Sequence, residues 1–284
     1  MKTMTGKTES RHSTLAEVLA MKTGDQAAVH GMVHTLRDLG DVRFALLRMP
    51  QGVLQCVLSG EDMDVRDGDA VMIAGEVVRD ERAPGGAELH AEKVEVLSRA
   101  AEAMPVPIGK NKMNLSLDTE LSLRFVTLRN LRKRAVFKIQ EGIVRGFRET
   151  LQREGFTEIH SPKIVAQNAE GGANLFRMEY FGRRAYLAQS PQFYKQAMVP
   201  VYERVFEIGP VFRAEKHNTQ RHLNEYTSMD FEMGFIDGFE DIMQMETEVL
   251  QNIMAVLKKD YAPQLEMLHV KLPDVSSIPA VRFD

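Results

Sequence analysis

The chain of 284 residues has a single cysteine, Cys56. One thiol excludes an internal disulfide and argues against a structural zinc site, which draws on several thiolates. Its setting, VLQCVL, is that of a small buried apolar residue. No apolar run approaches the ~18 residues of a membrane-spanning helix. The start, MKTMTGKTES, lacks the apolar stretch of a secretory signal. The expectation is a cytoplasmic protein that does not enter a membrane. Positive charge is not in excess either: the formal net charge is -4. Any nucleic-acid contact must then use a local patch. Aromatics make up only 7% of the residues. No Ser-His-Asp or Cys-His constellation stands out, and no internal repeat or low-complexity tract is visible. With 44% hydrophobic and 27% charged residues, the chain has the composition of a globular protein. Its length suggests about two domains.

Residues 1 to 12 are polar. Thr14 and Glu17 then have capping-box spacing ahead of a short helix reaching about Ala20. From Gln26 to Leu97 the pattern changes to short strands: AAVHGMVHTL, VRFALLRM, GVLQCVL, DAVMIAGEVV and ELHAEKVEVL. Turn signals separate them at Asp38-Leu39-Gly40, Pro50-Gln51-Gly52, Asp67-Gly68 and Pro84-Gly85-Gly86. Five such strands in about 70 residues fit a small closed barrel of the OB type. These barrels hold single-stranded nucleic acid by stacking bases on aromatics beside cations. Phe44, with Arg37 and Arg43 near it, is the available ring. A lone strand Phe is more often core.

Ala100 to about Ser122, with Pro105, Pro107 and Gly109 and no period, reads as a linker. The basic cluster Arg129, Arg132, Lys133 and Arg134 is either a solvated helix start or a salt-sensitive RNA contact. From Asn130 to Glu154, Val136, Ile139, Ile143, Phe147 and Leu151 recur at helical spacing, and Gly155 is placed to cap the end. GFTEIHSPKIV reads as a strand, and Pro162 puts it at an edge or interface. QNAEGGA is a Gly-rich loop with one carboxylate, Glu170. YLAQS reads as a strand, and Pro191 opens a helix on which Gln192 and Lys195 share a face. An amide and a cation on one face suit a zwitterion with an extra carboxylate. Farther on, Ile242, Met245, Val249, Ile253 and Val256 mark another amphipathic helix, its methionines serving as core filler.

The chain is organised around Arg204 to Phe235. Two strands flank a polar loop, KHNTQRHLNE. In the first, Phe206, Ile208 and Phe212 share one parity; Glu207, Gly209, Val211, Arg213 and Glu215 share the other. In the second, Thr227, Met229, Phe231, Met233 and Phe235 alternate with Ser228, Asp230, Glu232 and Gly234. A hairpin with Arg and carboxylates on one face and an Arg-His loop at its end suits a nucleotide triphosphate. A solvated hairpin with surface ion pairs has the same pattern.

VFRAEKHNTQRHLNEYTSMDFEM closely resembles motif 2 of class II aminoacyl-tRNA synthetases, with aspartyl-tRNA synthetases of the archaeal and eukaryotic type the nearest match. RDLGDVRFALLR followed by GVLQ resembles the anticodon-binding barrel of aspartyl- and asparaginyl-tRNA synthetases, and the helix, strand and Pro162 resemble motif 1. The resemblance implies an α+β chain: an OB-fold anticodon-binding barrel over 1–98, a linker or hinge over 99–122, and the N-terminal part of the catalytic domain, an antiparallel sheet with flanking helices, over 123–284. It implies an aspartate–tRNA ligase that activates L-aspartate with ATP and Mg²⁺ and charges tRNA, and a homodimer built on motif 1.

By the same resemblance Arg213 is the catalytic residue, binding the α-phosphate and the substrate carboxylate. Glu215 reads the adenine amino group, Arg221 and His222 hold the terminal phosphates, and Leu223 lines the site. Glu170 contacts the substrate ammonium, Gln192 assists there, and Lys195 pairs with the aspartate side chain. Phe44 stacks on an anticodon base that Gln55 hydrogen-bonds. His34 and Pro84 match the enzymes that also charge asparagine tRNA, which points to relaxed tRNA choice, although both also fit as ordinary strand and turn residues. The third class II motif and the acidic Mg²⁺ ligands before it have no match, so no metal ligand is expected among these residues. The expectation is a fragment, and the resemblance covers about two thirds of a family member. An asparaginyl-tRNA synthetase and a non-catalytic tRNA-binding or dimerising paralogue are the alternatives.

Overall fold

In the computed structural model, which describes residues 12–40, 42–59, 64–167, 174–217, 219 and 222–281, the chain divides into two compact units at Arg134 and Ala135. Glu170 and Arg221 lie outside the described residues.

The first unit opens with α1 (Leu15–Ala20), whose capping box of Thr14 and Glu17 forms as the spacing predicts. Five strands follow: β1 (Gln26–Asp38), β2 (Val42–Arg48), β3 (Val53–Ser59), β4 (Ala70–Val78) and β5 (Glu88–Ser98). They close a barrel in the order β1-β2-β3-β5-β4, in which only β3 and β5 run parallel. Alternation does the sorting: along β4, Val71, Ile73, Gly75 and Val77 turn inward, and along β3, Leu54, Cys56 and Leu58. The ladder between β4 and β5 slips at Ala74/Gly75. A Cβ on Gly75 would lie 1.9 Å from the His90 carbonyl oxygen, so only glycine fits that close approach. Pro84–Gly86 forms a single 3₁₀ turn between β4 and β5.

The stretch read as a linker is anchored. Val106 and Ile108 are buried with Val126, and Asn130 donates from Nδ2 to the carbonyls of Ile108 and Lys110 at 2.8 and 2.7 Å. Proline and glycine there mark an irregular path, not freedom from packing. Two short helices follow, α2 (Leu117–Ser122) and α3 (Arg124–Thr127). The unit boundary falls within α4 (Leu131–Arg153).

In the second unit α4 ends ahead of Gly155, whose φ of 81° suits a glycine cap. β6 (Thr157–Glu158) and β7 (Ile164–Val165) come next, then β8 (Arg177–Tyr180), β9 (Arg183–Leu187), α5 (Gln192–Tyr202), β10 (Arg204–Phe212), β11 (Glu225–Met233), α6 (Phe239–Asp260) and α7 (Ala262–Leu268). Two three-stranded sheets form, β11-β10-β6 and β7-β9-β8. The single strand expected across GFTEIHSPKIV is two fragments of two residues, broken around Pro162, which has no N–H to give a ladder. Phe147, Leu151, Phe156 and Phe206 pack with Met245, Val249, Ile253 and Val256 into one core. The α4 stripe is shorter than its periodicity implies: Ile139 and Ile143 pack at the margin and Val136 is exposed.

Candidate functional site

β10 and β11 pair in register from Arg204↔Met233 to Phe212↔Glu225. The apolar parity is only half used. Phe231 and Met233 reach the core, while Met229 is 38% exposed and Phe235, just past the strand, 94%. The polar parity is instead the buried one at its centre, where Glu207 is 3% exposed. Glu207 stands directly opposite Asp230. Like charges facing across a ladder repel, and each carboxylate has its own cation. Lys163 Nζ lies 2.7 Å from Glu207, which also accepts from the Ser161 hydroxyl at 2.6 Å. Lys195 Nζ lies 3.1 Å from Asp230 and 3.6 Å from Glu232. Asp230 accepts from Ser228 as well, and Gln192 Nε2 points to Glu232 at 3.4 Å.

Lys195 is therefore not a surface lysine of α5: it is 5% exposed and held between two carboxylates. Gln192 and Lys195, three apart on the helix, converge on the same strand face. Two carboxylates and one ammonium leave that floor with an unmatched negative charge.

Arg213 follows β10 and extends the ladder, its N–H donating to the Asn224 carbonyl at 3.0 Å. Its guanidinium sits 5.8 Å from the centre of the Tyr226 ring, and its Nε is buried without a partner. Arg213, Glu215, His222, Leu223 and Tyr226 line a cavity of ≈ 460 Å³. His222 Nδ1 is 2.6 Å from the Thr219 hydroxyl, and the His217 and His222 rings are 5.4 Å apart. Tyr226, Ser228, Asp230 and Glu232 share one parity, so the Arg213 cavity and the Lys195 floor lie along one strand face, roughly 13 Å apart by strand rise. Four of the five residues expected at ATP are thus brought together, and Arg221 is outside the described residues.

In the first unit Phe44 is not core. Ala45 and Leu47 point into the barrel, and Phe44, Leu46 and Arg48 occupy the other face of β2. Gln55 on β3 faces the same way and donates to Glu88 at 2.8 Å. Glu88 also lies 2.8 Å from His90 Nε2. His34 is at the irregularity of β1 between Val33 and Thr35 and is only 2% exposed. Burial, then the charges of Arg48 and Arg134, push it down from 6.5 to about 4. Pro84 is exposed on its 3₁₀ turn.

Residues 27–97 match the OB-fold nucleic acid binding domain, and residues 116–282 match the model of class II tRNA synthetases (D, K and N). The chain belongs to the class II tRNA synthetases. It is 48% identical over 269 residues to the aspartate–tRNA(Asp/Asn) ligase of Deinococcus radiodurans, covering 94% of this chain and 62% of that protein. With the enzyme of the same name from Thermus thermophilus it shares 46% over 259 residues, covering 91% and 61%. The asparaginyl-tRNA synthetase of Pyrococcus horikoshii, solved with asparaginyl-adenylate, superposes with a TM-score of 0.82 at 32% identity, covering 91% of this chain and 61% of that one. This synthetase chain thus spans about three fifths of the length of those relatives. An OB-fold precedes a class II synthetase domain of mixed α and β structure.

Three buried or half-buried polar residues of the second unit have no role of their own in the pattern reading. Asp230 and Glu232 could have been found from parity alone, because Asp230 opposite Glu207, with Glu232 on the same strand face, demands buried cations. Gln189 could not: its amide is 2% exposed, with Nε2 3.4 Å from the Asn174 carbonyl and Oε1 without a partner. Nothing in YLAQS distinguishes that glutamine. Among the described residues no group of three or more His, Cys, Asp or Glu side chains is placed to hold a metal ion, so Mg²⁺ has no assigned ligands here. No described helix is long and apolar enough to cross a membrane.

Proposed function

We propose that this chain is the aspartate-activating part of an aspartate–tRNA ligase that accepts tRNA(Asp) and tRNA(Asn). The observation that carries it is Lys195, buried against Asp230 and Glu232 beside Gln192. A bound aspartate would give its ammonium to that acidic floor and its side-chain carboxylate to Lys195. Asparagine offers Lys195 no charge to match.

In the first step the substrate α-carboxylate oxygen bonds to the α-phosphorus of ATP, and the bond from that phosphorus to the departing pyrophosphate breaks. In the second, a ribose hydroxyl at the tRNA 3′ end attacks the aspartyl carbonyl, and AMP leaves with the electron pair. No protein nucleophile takes part; the work is positioning and charge stabilisation. Arg213 serves both steps: its unpartnered Nε and the rest of its guanidinium are donors for the α-phosphate and the substrate carboxylate. Glu215 would read the adenine amino group, with Arg221 and His222 at the terminal phosphates, Leu223 lining the cavity and Glu170 closing on the ammonium. The barrel, over 1–98, reads the anticodon through Phe44 and Gln55, with His34 and Pro84 permitting the second tRNA. Residues 123–284 carry the chemistry. The working protein is a cytoplasmic homodimer.

The similarity to an asparaginyl-tRNA synthetase favours a second reading, with asparagine as substrate. Amino-acid-dependent ATP–pyrophosphate exchange decides between them. Exchange with aspartate and not asparagine is expected, and the reverse preference would install the second reading. Exchange with neither, beside retained tRNA binding, would leave a fragment that needs the third motif to react, or a binding module.

A further inference from the structure

Arg48 lies against His34 at the barrel end, and Arg129 and Arg134 meet Arg48 there. Arg48 Nη1 donates to the Arg129 carbonyl at 3.2 Å and to His34 Nδ1 at 3.4 Å. An arginine can only donate, so His34 Nδ1 is the acceptor and its proton sits on Nε2. Arg134 Nη2 donates to the carbonyls of Met49 and Pro50 at 3.0 and 2.9 Å. Arg129 Nη1 has only the Met104 sulfur, at 3.8 Å. These acceptors are all neutral. They orient the guanidiniums without cancelling their charge. Among the described residues no carboxylate comes within 4.0 Å of any of the three. Arg134 Nη1 is moreover buried with no partner among the described residues. Burial, then the charges of Arg134 and Arg129, press Arg48 down to about 10.

Half-buried cations of one sign with an unmet donor are unfavourable as they stand. An anion with several acceptor oxygens removes the penalty. Planar guanidiniums match a phosphate, gripping it through paired N–H groups. We propose that Arg48, Arg129 and Arg134 form a phosphate-binding site. The favoured occupant is a backbone phosphate of bound RNA, because Arg48 shares the outer face of β2 with Phe44, roughly 13 Å away along the strand. A stacking ring and a fixed cation group on one barrel face are the two halves of a single-strand binding track. That choice of occupant rests on the proposed meeting of the barrel with tRNA; the phosphate chemistry does not.

The test measures tRNA affinity of the chain against salt concentration for the wild type, Arg48→Gln, Arg134→Gln and Phe44→Ala. Each glutamine variant is expected to bind about tenfold more weakly, with the slope of log affinity against log salt shallower by about one. Its melting temperature is expected to be unchanged or raised, because a repulsive charge has gone. A parallel arm follows melting in inorganic phosphate. Stabilisation of the wild type that both glutamine variants lose, with unchanged tRNA slopes, assigns the site to free phosphate. If Phe44→Ala weakens tRNA binding while both arginine variants keep the wild-type slope and phosphate response, the barrel reading stands and the phosphate site is overturned. If the wild type does not bind tRNA, the barrel reading fails, and the phosphate arm alone decides the site.

Discussion

Lys195 and Arg213 illustrate two ways in which a cation is held ready. Lys195 is enclosed by acids, so its proposed substrate role is joined to a structural one. Replacing it with Met strands Asp230 and Glu232, and breaking a buried pair of this kind costs about 3–5 kcal/mol. Lys195→Met is expected to lower both melting temperature and aspartate-dependent exchange. Among the described residues Arg213 has no carboxylate partner to lose, only the contact with Tyr226 and an unmet Nε. Arg213→Ala should therefore leave the melting temperature nearly unchanged while exchange falls about 10²-fold or more, a split that thermal melting and exchange kinetics together would reveal. His34 sets a pH dependence of stability. Its folded value of about 4 lies below the ordinary 6.5, so the unfolded chain binds the extra proton between those values. The contribution is fully present above pH 6.5 and is lost as pH falls toward 4, on the order of 1–3 kcal/mol. Urea titrations of wild type and His34→Gln at pH 7 and pH 4.5 should show the variant losing less stability on acidification; equal losses would count against a neutral buried imidazole.

At the scale of elements, the glycines of α4 matter more than its apolar stripe. A Cβ on Gly146 would lie 2.8 Å from the Ile253 Cα, and one on Gly142 would lie 2.6 Å from a Leu257 methyl. Asn252 Nδ2 closes the same contact on the Gly146 carbonyl at 3.0 Å. α4 and α6 thus meet backbone to backbone, and Gly146→Ala is expected to destabilise by about 1–3 kcal/mol despite its better helix propensity, measured by denaturant unfolding. Periodicity located both helices and their inner residues but not this contact, because a glycine carries no hydrophobic signal. It also overextended the stripe to Val136, which lies in the first turns of α4 and outside the core. In the β10–β11 hairpin, alternation sorted the faces correctly, yet the polar face, read as either a nucleotide site or a solvated one, is the face that buries Glu207. Parity says which residues share a face; what covers that face is decided by α5 and the segment carrying Lys163.

At the scale of the whole chain, each compact unit has its own core, so the two proposed tasks should separate. Phe44 belongs to the first unit, and the residues of the Arg213 cavity and the Lys195 floor belong to the second. Phe44→Ala is expected to weaken tRNA binding by about 1–3 kcal/mol, the usual loss for one stacked base, and to leave ATP–pyrophosphate exchange unchanged. A matching loss of exchange would contradict the division. By itself the sequence determined the order of elements, the five-stranded barrel, and the hairpin with the residues that share each of its faces, because alternation, helical spacing and turn chemistry are local and survive in one dimension. Only the tertiary structure decided that Phe44 lies outside the barrel core, that Lys195 is buried between two acids, that the Pro-rich segment around Val106 is anchored, and that Arg48, Arg129 and Arg134 meet. Burial and charge pairing depend on partners distant along the chain, and no local pattern encodes which of them arrive.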